Sequence, residues 1–222
     1  GDVEKFTEDY CGYLDCNSLR AGYPESKRAG EALCQAYIRQ KNLDIVIPRL
    51  SRCYGPTLQK EDSKAMSQFL QKALAGENIV LKSEGTQFFS YNYVADAVSA
   101  IFYCIMYGRS GEAYNVADDA SDIHLRDLAG MIAEYAGKKV IFELPDAVER
   151  AGFSKATVAV MDSTKLKNLG WKADYSIEQG IAQGIEQGVS QTIRQLHYKG
   201  MPASQIADFL DMSLDQVESI LA

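Results

Sequence analysis

Histidine and paired cysteine are scarce in this chain. His124 and His197 are the two histidines; they stand far apart with no cluster of other ligand types around them. That placement argues against a zinc site and against a Ser-His-Asp arrangement. Cys11, Cys16, Cys34, Cys53 and Cys104 form no C-x-x-C pair and are odd in number. Reduced thiols in a cytosolic (cytoplasmic) protein are therefore expected rather than a disulfide framework. Cys34 and Cys104 fall in apolar helical patterns and are expected in the core. No apolar run approaches the roughly 20 residues that cross a membrane. No signal-peptide pattern opens the chain, which starts at Gly1 rather than methionine. Cations are outnumbered, 23 Lys and Arg against 30 Asp and Glu, for a net charge of −7. That balance argues against general affinity for nucleic acid or anionic membrane. The 22 residues before Tyr23 also hold no G-x-G-x-x-G fingerprint, the strand-to-helix turn that cradles a dinucleotide pyrophosphate.

What is present is a globular sequence with a chemically suggestive pair. Hydrophobic residues make up 46% of the 222, enough for one ordinary domain with a single core and an appendage. Tyr23-Pro24-Glu25-Ser26-Lys27 places a phenol and an ammonium four residues apart. On a helix, residues i and i+4 share a face, with Cβ atoms about 6 Å apart. A free tyrosine has a pKa of about 10 and is a poor base at neutral pH; a nearby cation favours the phenolate. Tyr23 could then take or return a hydroxyl proton while a hydride moves to or from a nicotinamide. The flanks predict a helix start: Gly22 is an acceptable cap and Pro24 suits a first turn. Ala29, Leu33, Ala36 and Tyr37 continue an apolar stripe at helical spacing.

Residues 1–22 read as loop and turn. Helices are predicted from about Tyr23 to Gln40, Ser63 to Ala75, Val94 to Tyr107 and Leu125 to Ala136, the last with Leu128, Ile132 and Tyr135 inward. The β-branched run Asp44–Leu50 predicts a buried strand, and Ile79–Lys82, Ala113–Val116 and Val140–Glu143 predict shorter ones. The alternation implies an α/β layered fold. From Ser176 the character changes. Gln-Gly-Ile or Gln-Gly-Val recurs with period four at Gln179, Gln183 and Gln187; on a helix each series drifts slowly around the surface. Glycine every fourth residue costs up to about 1 kcal/mol each relative to alanine, so this helix needs packing or a partner. Residues 190–222 read as three short helices, joined at Lys199–Pro202 and Asp211–Ser213. The last two are similar to a helix-turn-helix. Yet the tail sets Arg194 and Lys199 against Glu178, Glu186, Asp208, Asp211, Asp215 and Glu218. DNA binding is therefore disfavoured, and helical packing or homo-oligomerisation is the better expectation.

Further runs give the pair a context. They are Pro48-Arg49-Leu50, Ser51-Arg52-Cys53-Tyr54-Gly55-Pro56, Gly85–Ala97, Gly111–Ala117 and Leu169-Gly170-Trp171. In this order the sequence resembles the C-terminal part of the extended short-chain dehydrogenase/reductase family. The closer likeness is to its NAD-dependent nucleotide-sugar epimerases, dehydratases and decarboxylases, over about residues 1–182. The Gln-Gly-Ile tail resembles those of transposase-associated proteins. The resemblance implies the C-terminal portion of a Rossmann-type doubly wound fold, with a small substrate lobe built from the short strands after Gly76. It implies residues 1–175 as a partial domain without the glycine-rich half and 176–222 as an all-helical tail. It implies Tyr23 as acid/base, Lys27 also on the nicotinamide ribose of NAD or NADP, and Pro48, Leu50 and Ser51 beside the cofactor. Arg52 and Tyr54 would contact a nucleotide-sugar substrate, and Asp96 would cap or orient its helix.

Three departures from the family pattern qualify this. Arg52 stands where asparagine is usual, and offers a charged donor fork instead. Phe89 stands where the family often has a phosphate-gripping arginine, and Ala159, Val160 and Met161 lack another before Asp162. Gly1 corresponds to the glycine of a Tyr-Gly pair, so the family's catalytic hydroxyl, glycine-rich loop and acidic ribose ligand would fall upstream of residue 1. Two readings follow: an oxidoreductase-type half with little turnover by itself, or an interaction protein in which the pair is a relic.

Overall fold

The computed structural model describes residues 4–19, 21–56, 62–143, 157–210 and 212–222. The chain forms two compact units. The first comprises Gly1–Cys53, Thr86–Leu125 and Glu149–Ile177; the second comprises Tyr54–Gly85, Arg126–Val148 and Glu178–Ala222.

Helix α1 (Gly22–Lys41) opens the first unit. Its N-cap is Ala21 rather than Gly22, without a side-chain cap, and Pro24 sits in the first turn, where a missing N–H costs little. Asn42, left-handed at φ 53°, ends it. None of its residues is buried; Leu33 and Tyr37 of the expected apolar stripe are exposed, and Cys34 is half-buried. Strand β1 (Ile47–Leu50) starts three residues later than the β-branched run suggests and is only partly buried. It pairs in parallel with β5 (Ala113–Val116), Ile47 opposite Ala113 and Leu50 opposite Val116. The strand Ala113–Val116 thus belongs with β1 and not with the lobe expected after Gly76. Helix α3 (Val94–Tyr107) buries Ala97, Ala100 and Cys104 at helical spacing. Ala100 and Cys104 pack with Tyr114, Val116, Trp171 and Leu166, the last from the short α5 (Thr164–Lys167). The opposite face of α3 exposes Val98, Phe102, Ile105 and Met106.

A second sheet of the first unit is built around β4 (Phe88–Tyr93), which neighbours β2 (Arg52–Tyr54), β6 (Asp122–His124) and β8 (Val158–Ala159). β2, β6 and β8 have two or three residues each, too short for alternation to reveal them. Asp96 does not cap α3. It is buried and accepts backbone N–H bonds from Asp174 (3.0 Å) and Tyr175 (3.2 Å). Trp171 Nε1 donates to Ser99 Oγ at 3.0 Å, and the Tyr93 and Tyr175 rings lie 4.7 Å apart. Residues 171–175 are thereby strapped to the first turns of α3.

In the second unit β3 (Ile79–Leu81) pairs in parallel with β7 (Val140–Phe142). Amphipathic helices α2 (Ala65–Leu74) and α4 (Leu125–Tyr135) bury Phe69, Leu70, Leu128 and Ile132. Tyr135, expected inward, is exposed. The glycine-repeat segment is one helix, α6 (Ile177–Tyr198), and its isoleucines at 181, 185 and 193 are buried. It absorbs the first of the three short helices expected after residue 190, and its Tyr198 is exposed. α7 (Ala203–Leu210) and α8 (Leu214–Leu221) pack on its C-terminal half through Ile193, Ile206, Ala207 and Val217. Ser213 and Gln216 close α8 with a reciprocal capping box; Asp211 of the expected linker lies outside the described residues.

Candidate functional site

Tyr23 and Lys27 share one face of α1, as their spacing requires. The Lys27 ammonium lies 5.4 Å from the centroid of the Tyr23 ring, and the tyrosine is 73% exposed. The phenol is therefore accessible, and the cation stands beside it within cation–π range. Ser26 Oγ donates to the Tyr23 carbonyl at 2.7 Å, which closes the first turn around the pair.

One turn beyond Lys27, Glu31 ties α1 to β1. Arg49 Nε donates to Glu31 Oε1 (2.7 Å) and Nη2 to Oε2 (2.6 Å), a bidentate pair. Arg49 Nη1 donates to the Glu8 carbonyl at 2.8 Å, and the Glu31 carboxylate holds the guanidinium above its ordinary pKa. Glu8 Oε1 in turn accepts the Asn115 N–H at 2.8 Å. The Asn115 amide donates to the carbonyls of Phe6 (2.8 Å) and Asp162 (3.0 Å). This knot locks residues 6–8, α1, β1 and β5 together, so the orientation of Tyr23 and Lys27 is set by the sheet. Its sequence signal was the continuation Lys27-x-x-x-Glu31 on the face already carrying Tyr23. The partner Arg49 was legible only once β1 lay against the helix. Lys27, Arg28, Glu31, Arg49 and Glu8 line a cleft of about 630 Å³ in this unit.

The other expected residues fall at the strand ends. Pro48 and Leu50 lie on β1, and Leu50 is exposed. Ser51, between β1 and β2, donates its N–H to the Val116 carbonyl at 3.0 Å, while its buried hydroxyl has no hydrogen-bond partner among the described residues. The Arg52 guanidinium stacks on the Phe89 ring, 3.6 Å from its centroid. Tyr54 is buried and belongs to the second unit. Gly1 lies outside the described residues. Among the described residues no group of His, Cys, Asp and Glu is placed to hold a metal ion, and no helix is long and apolar enough to cross a membrane.

A cofactor fits these residues at one end. The accessible Lys27 ammonium and the unsatisfied Ser51 hydroxyl suit a nicotinamide ribose. The 222 residues hold no G-x-G-x-x-G fingerprint for the pyrophosphate.

A parallel β1–β5 pair flanked by helices, with a Tyr-x-x-x-Lys face on α1, defines a Rossmann-type α/β chain of the extended short-chain dehydrogenase/reductase kind. Residues 1–117 match the NAD dependent epimerase/dehydratase family, and the chain belongs to that family. UDP-glucuronic acid decarboxylase 1 of Danio rerio is 26% identical over 180 residues, covering 81% of this chain and 42% of that protein. dTDP-glucose 4,6-dehydratase of Bacillus anthracis, solved in complex with NAD, superposes with a TM-score of 0.69 at 25% identity, over 84% of this chain and 56% of that one. WbmF of Bordetella bronchiseptica, solved with NAD+ and UDP, gives a TM-score of 0.67 at 24% identity, over 87% and 61% respectively. The chain spans about half the length of the curated relatives it matches.

Proposed function

We propose that this chain is the proton-handling and substrate-holding part of an NAD(P)-dependent nucleotide-sugar epimerase, dehydratase or decarboxylase. The observation that carries the reading is the accessible Tyr23 phenol with the Lys27 ammonium 5.4 Å from its ring, on a helix clamped to β1. The cofactor supplies a hydride acceptor. Tyr23 takes the proton from the sugar hydroxyl at the carbon being oxidised, passing from phenolate to phenol as the hydride leaves that carbon, and the Lys27 ammonium stands beside the phenol ring. Lys27 and Ser51 hold the nicotinamide ribose, Pro48 and Leu50 line its approach, and Arg52 contacts the nucleotide sugar. The nucleotide-sugar class is carried over from the relatives above. Without a pyrophosphate cradle, residues 1–222 alone bind NAD weakly and turn over little. Calorimetry tests this: micromolar NAD affinity for residues 1–222 contradicts the proposal.

A second reading is favoured by the apolar side chains that α1 and α3 leave exposed, Leu33, Tyr37, Phe102, Ile105 and Met106. In it the chain acts through association and the pair is a relic. Light scattering after size exclusion tests it, and a strict monomer, unchanged when residues 176–222 are deleted, removes its support.

A further inference from the structure

Helix α3 carries an apolar seam that the fold leaves bare. Ala95, Val98, Phe102 and Ile105 recur at spacings of three, four and three residues, the a/d repeat of helices that pair. All four are exposed, Phe102 at 58% and Ile105 at 64%, and the exposed Met106 flanks them. The opposite face, with Ala97, Ala100 and Cys104, is buried in the unit, so the packing behind α3 holds the seam outward. Asp96 is the one charged residue between Val94 and Tyr107, and it is buried and bound by the Asp174 and Tyr175 N–H groups. The helix therefore shows no exposed charge that would select a cationic or anionic partner, or that would make two copies repel.

The seam is also complementary to itself. When two such helices lie antiparallel across a two-fold axis, each a position faces a d position. Ala95 then faces the second copy's Ile105, and Val98 its Phe102. Each layer joins a small side chain to a larger one, the alternation that lets layers interdigitate. A parallel pair would instead set alanine on alanine and phenylalanine on phenylalanine, with the two helix dipoles side by side in one direction.

We propose that α3 is a self-association surface whose partner is the same helix of a second copy of this chain, antiparallel across a two-fold axis. This deepens the association reading above by naming its face and its partner. Val98, Phe102, Ile105 and Met106 offer roughly 100 Å² each, so with its rim the pair buries about 1,000 Å² in all, the low end of a specific interface. The dimer is accordingly weak, dissociating at micromolar concentrations or above.

Sedimentation equilibrium of residues 1–222 over a concentration series tests this. The wild type is expected to pass from monomer to dimer as concentration rises. Phe102→Glu and Val98→Lys each put an unpaired charge in the seam, and each is expected to weaken dimerisation at least about tenfold. An equimolar mixture of the two should recover the dimer, because position 98 of one copy then faces position 102 of the other with opposite charge. Only the antiparallel register brings those positions together. Trp171 fluorescence checks that each variant is folded, since Trp171 packs with Ala100 and Cys104 on the other side of α3. A monomer at every concentration, a dimer unaffected by either variant, or a mixture no better than its components overturns the proposal. The second of these outcomes, a dimer held by another face such as Leu33 and Tyr37 of α1, leaves the association reading standing. A monomer that pellets with phosphatidylcholine vesicles overturns the proposal in favour of a bilayer surface.

Discussion

The glycine repeat of α6 makes a prediction in which two effects of similar size oppose each other. Replacing a helical glycine by alanine gains about 1 kcal/mol of backbone propensity where the new methyl has room. At Gly184 a Cβ meets nothing within 4 Å. Gly184→Ala should therefore stabilise the second unit by roughly 0.5–1 kcal/mol, or about 3–6 °C in Tm for a domain of this size. At Gly188 a Cβ would lie 2.7 Å from Leu74 Cδ1 and 3.1 Å from Cδ2. Leu74 ends α2, so its side chain must turn away or the helices must part. Overpacking of this kind costs about 1–3 kcal/mol, which cancels or exceeds the propensity gain. Gly188→Ala should accordingly melt below Gly184→Ala by at least about 1 kcal/mol's worth of Tm. Circular dichroism at the helix band gives both melts. Equal stabilisation by the two substitutions, or a loss at Gly184, refutes the close approach of Gly188 to Leu74.

Three further predictions concern the first unit. Arg49→Met should cost about 1–2 kcal/mol, intermediate between surface and buried pairs because both partners are 32% exposed; a double-mutant cycle with Glu31→Gln, followed by Trp171 fluorescence in urea, checks it, and a coupling below about 0.5 kcal/mol means that α1 is not clamped by this pair. Burial, which outweighs the stabilising N–H bonds from Asp174 and Tyr175 and is aided by the negative charges of Asp174 and Asp118, raises the Asp96 carboxyl above the usual carboxylate range. The folded state then holds that proton more tightly than the unfolded one, so this ionisation contributes stability at acid pH that is lost as pH rises through the native value; Asp96→Asn should remove that slope from urea midpoints measured across pH, and a slope of opposite sign in the wild-type minus variant difference refutes it. Cys11 and Cys16 are exposed, whereas Cys104 is buried and burial pushes its thiol up; a thiol-reactive dye should label the first two at once and Cys104 only on unfolding, and rapid labelling of Cys104 in the native protein contradicts the core assignment.

Helices that bury one face were legible because their apolar spacing is a local property. Val94–Tyr107 appears with the predicted bounds, and Ser63–Ala75 and Leu125–Ala136 within two residues at each end. The short strands β2, β6 and β8 were not, since two or three residues carry no period. Tyr135 was misplaced for a related reason: aromatic composition says that a side chain prefers burial, while the partner that covers it or leaves it bare comes from elsewhere in the chain. Asp96 shows the same limit, because its partners at 174 and 175 lie far along the sequence.

The sequence by itself determined that Tyr23 and Lys27 share a helix face, since four residues make about one turn, and it determined that the 22 residues before Tyr23 hold no G-x-G-x-x-G fingerprint. The tertiary structure decided which cations are satisfied. Arg49 and Arg52 are three residues apart on strands of different sheets and alike in chemistry, yet one meets Glu31 and the other meets the face of Phe89. A charge's partner is chosen by which strand or helix lies across from it, and that depends on register and packing rather than on the residue's own neighbours in the chain.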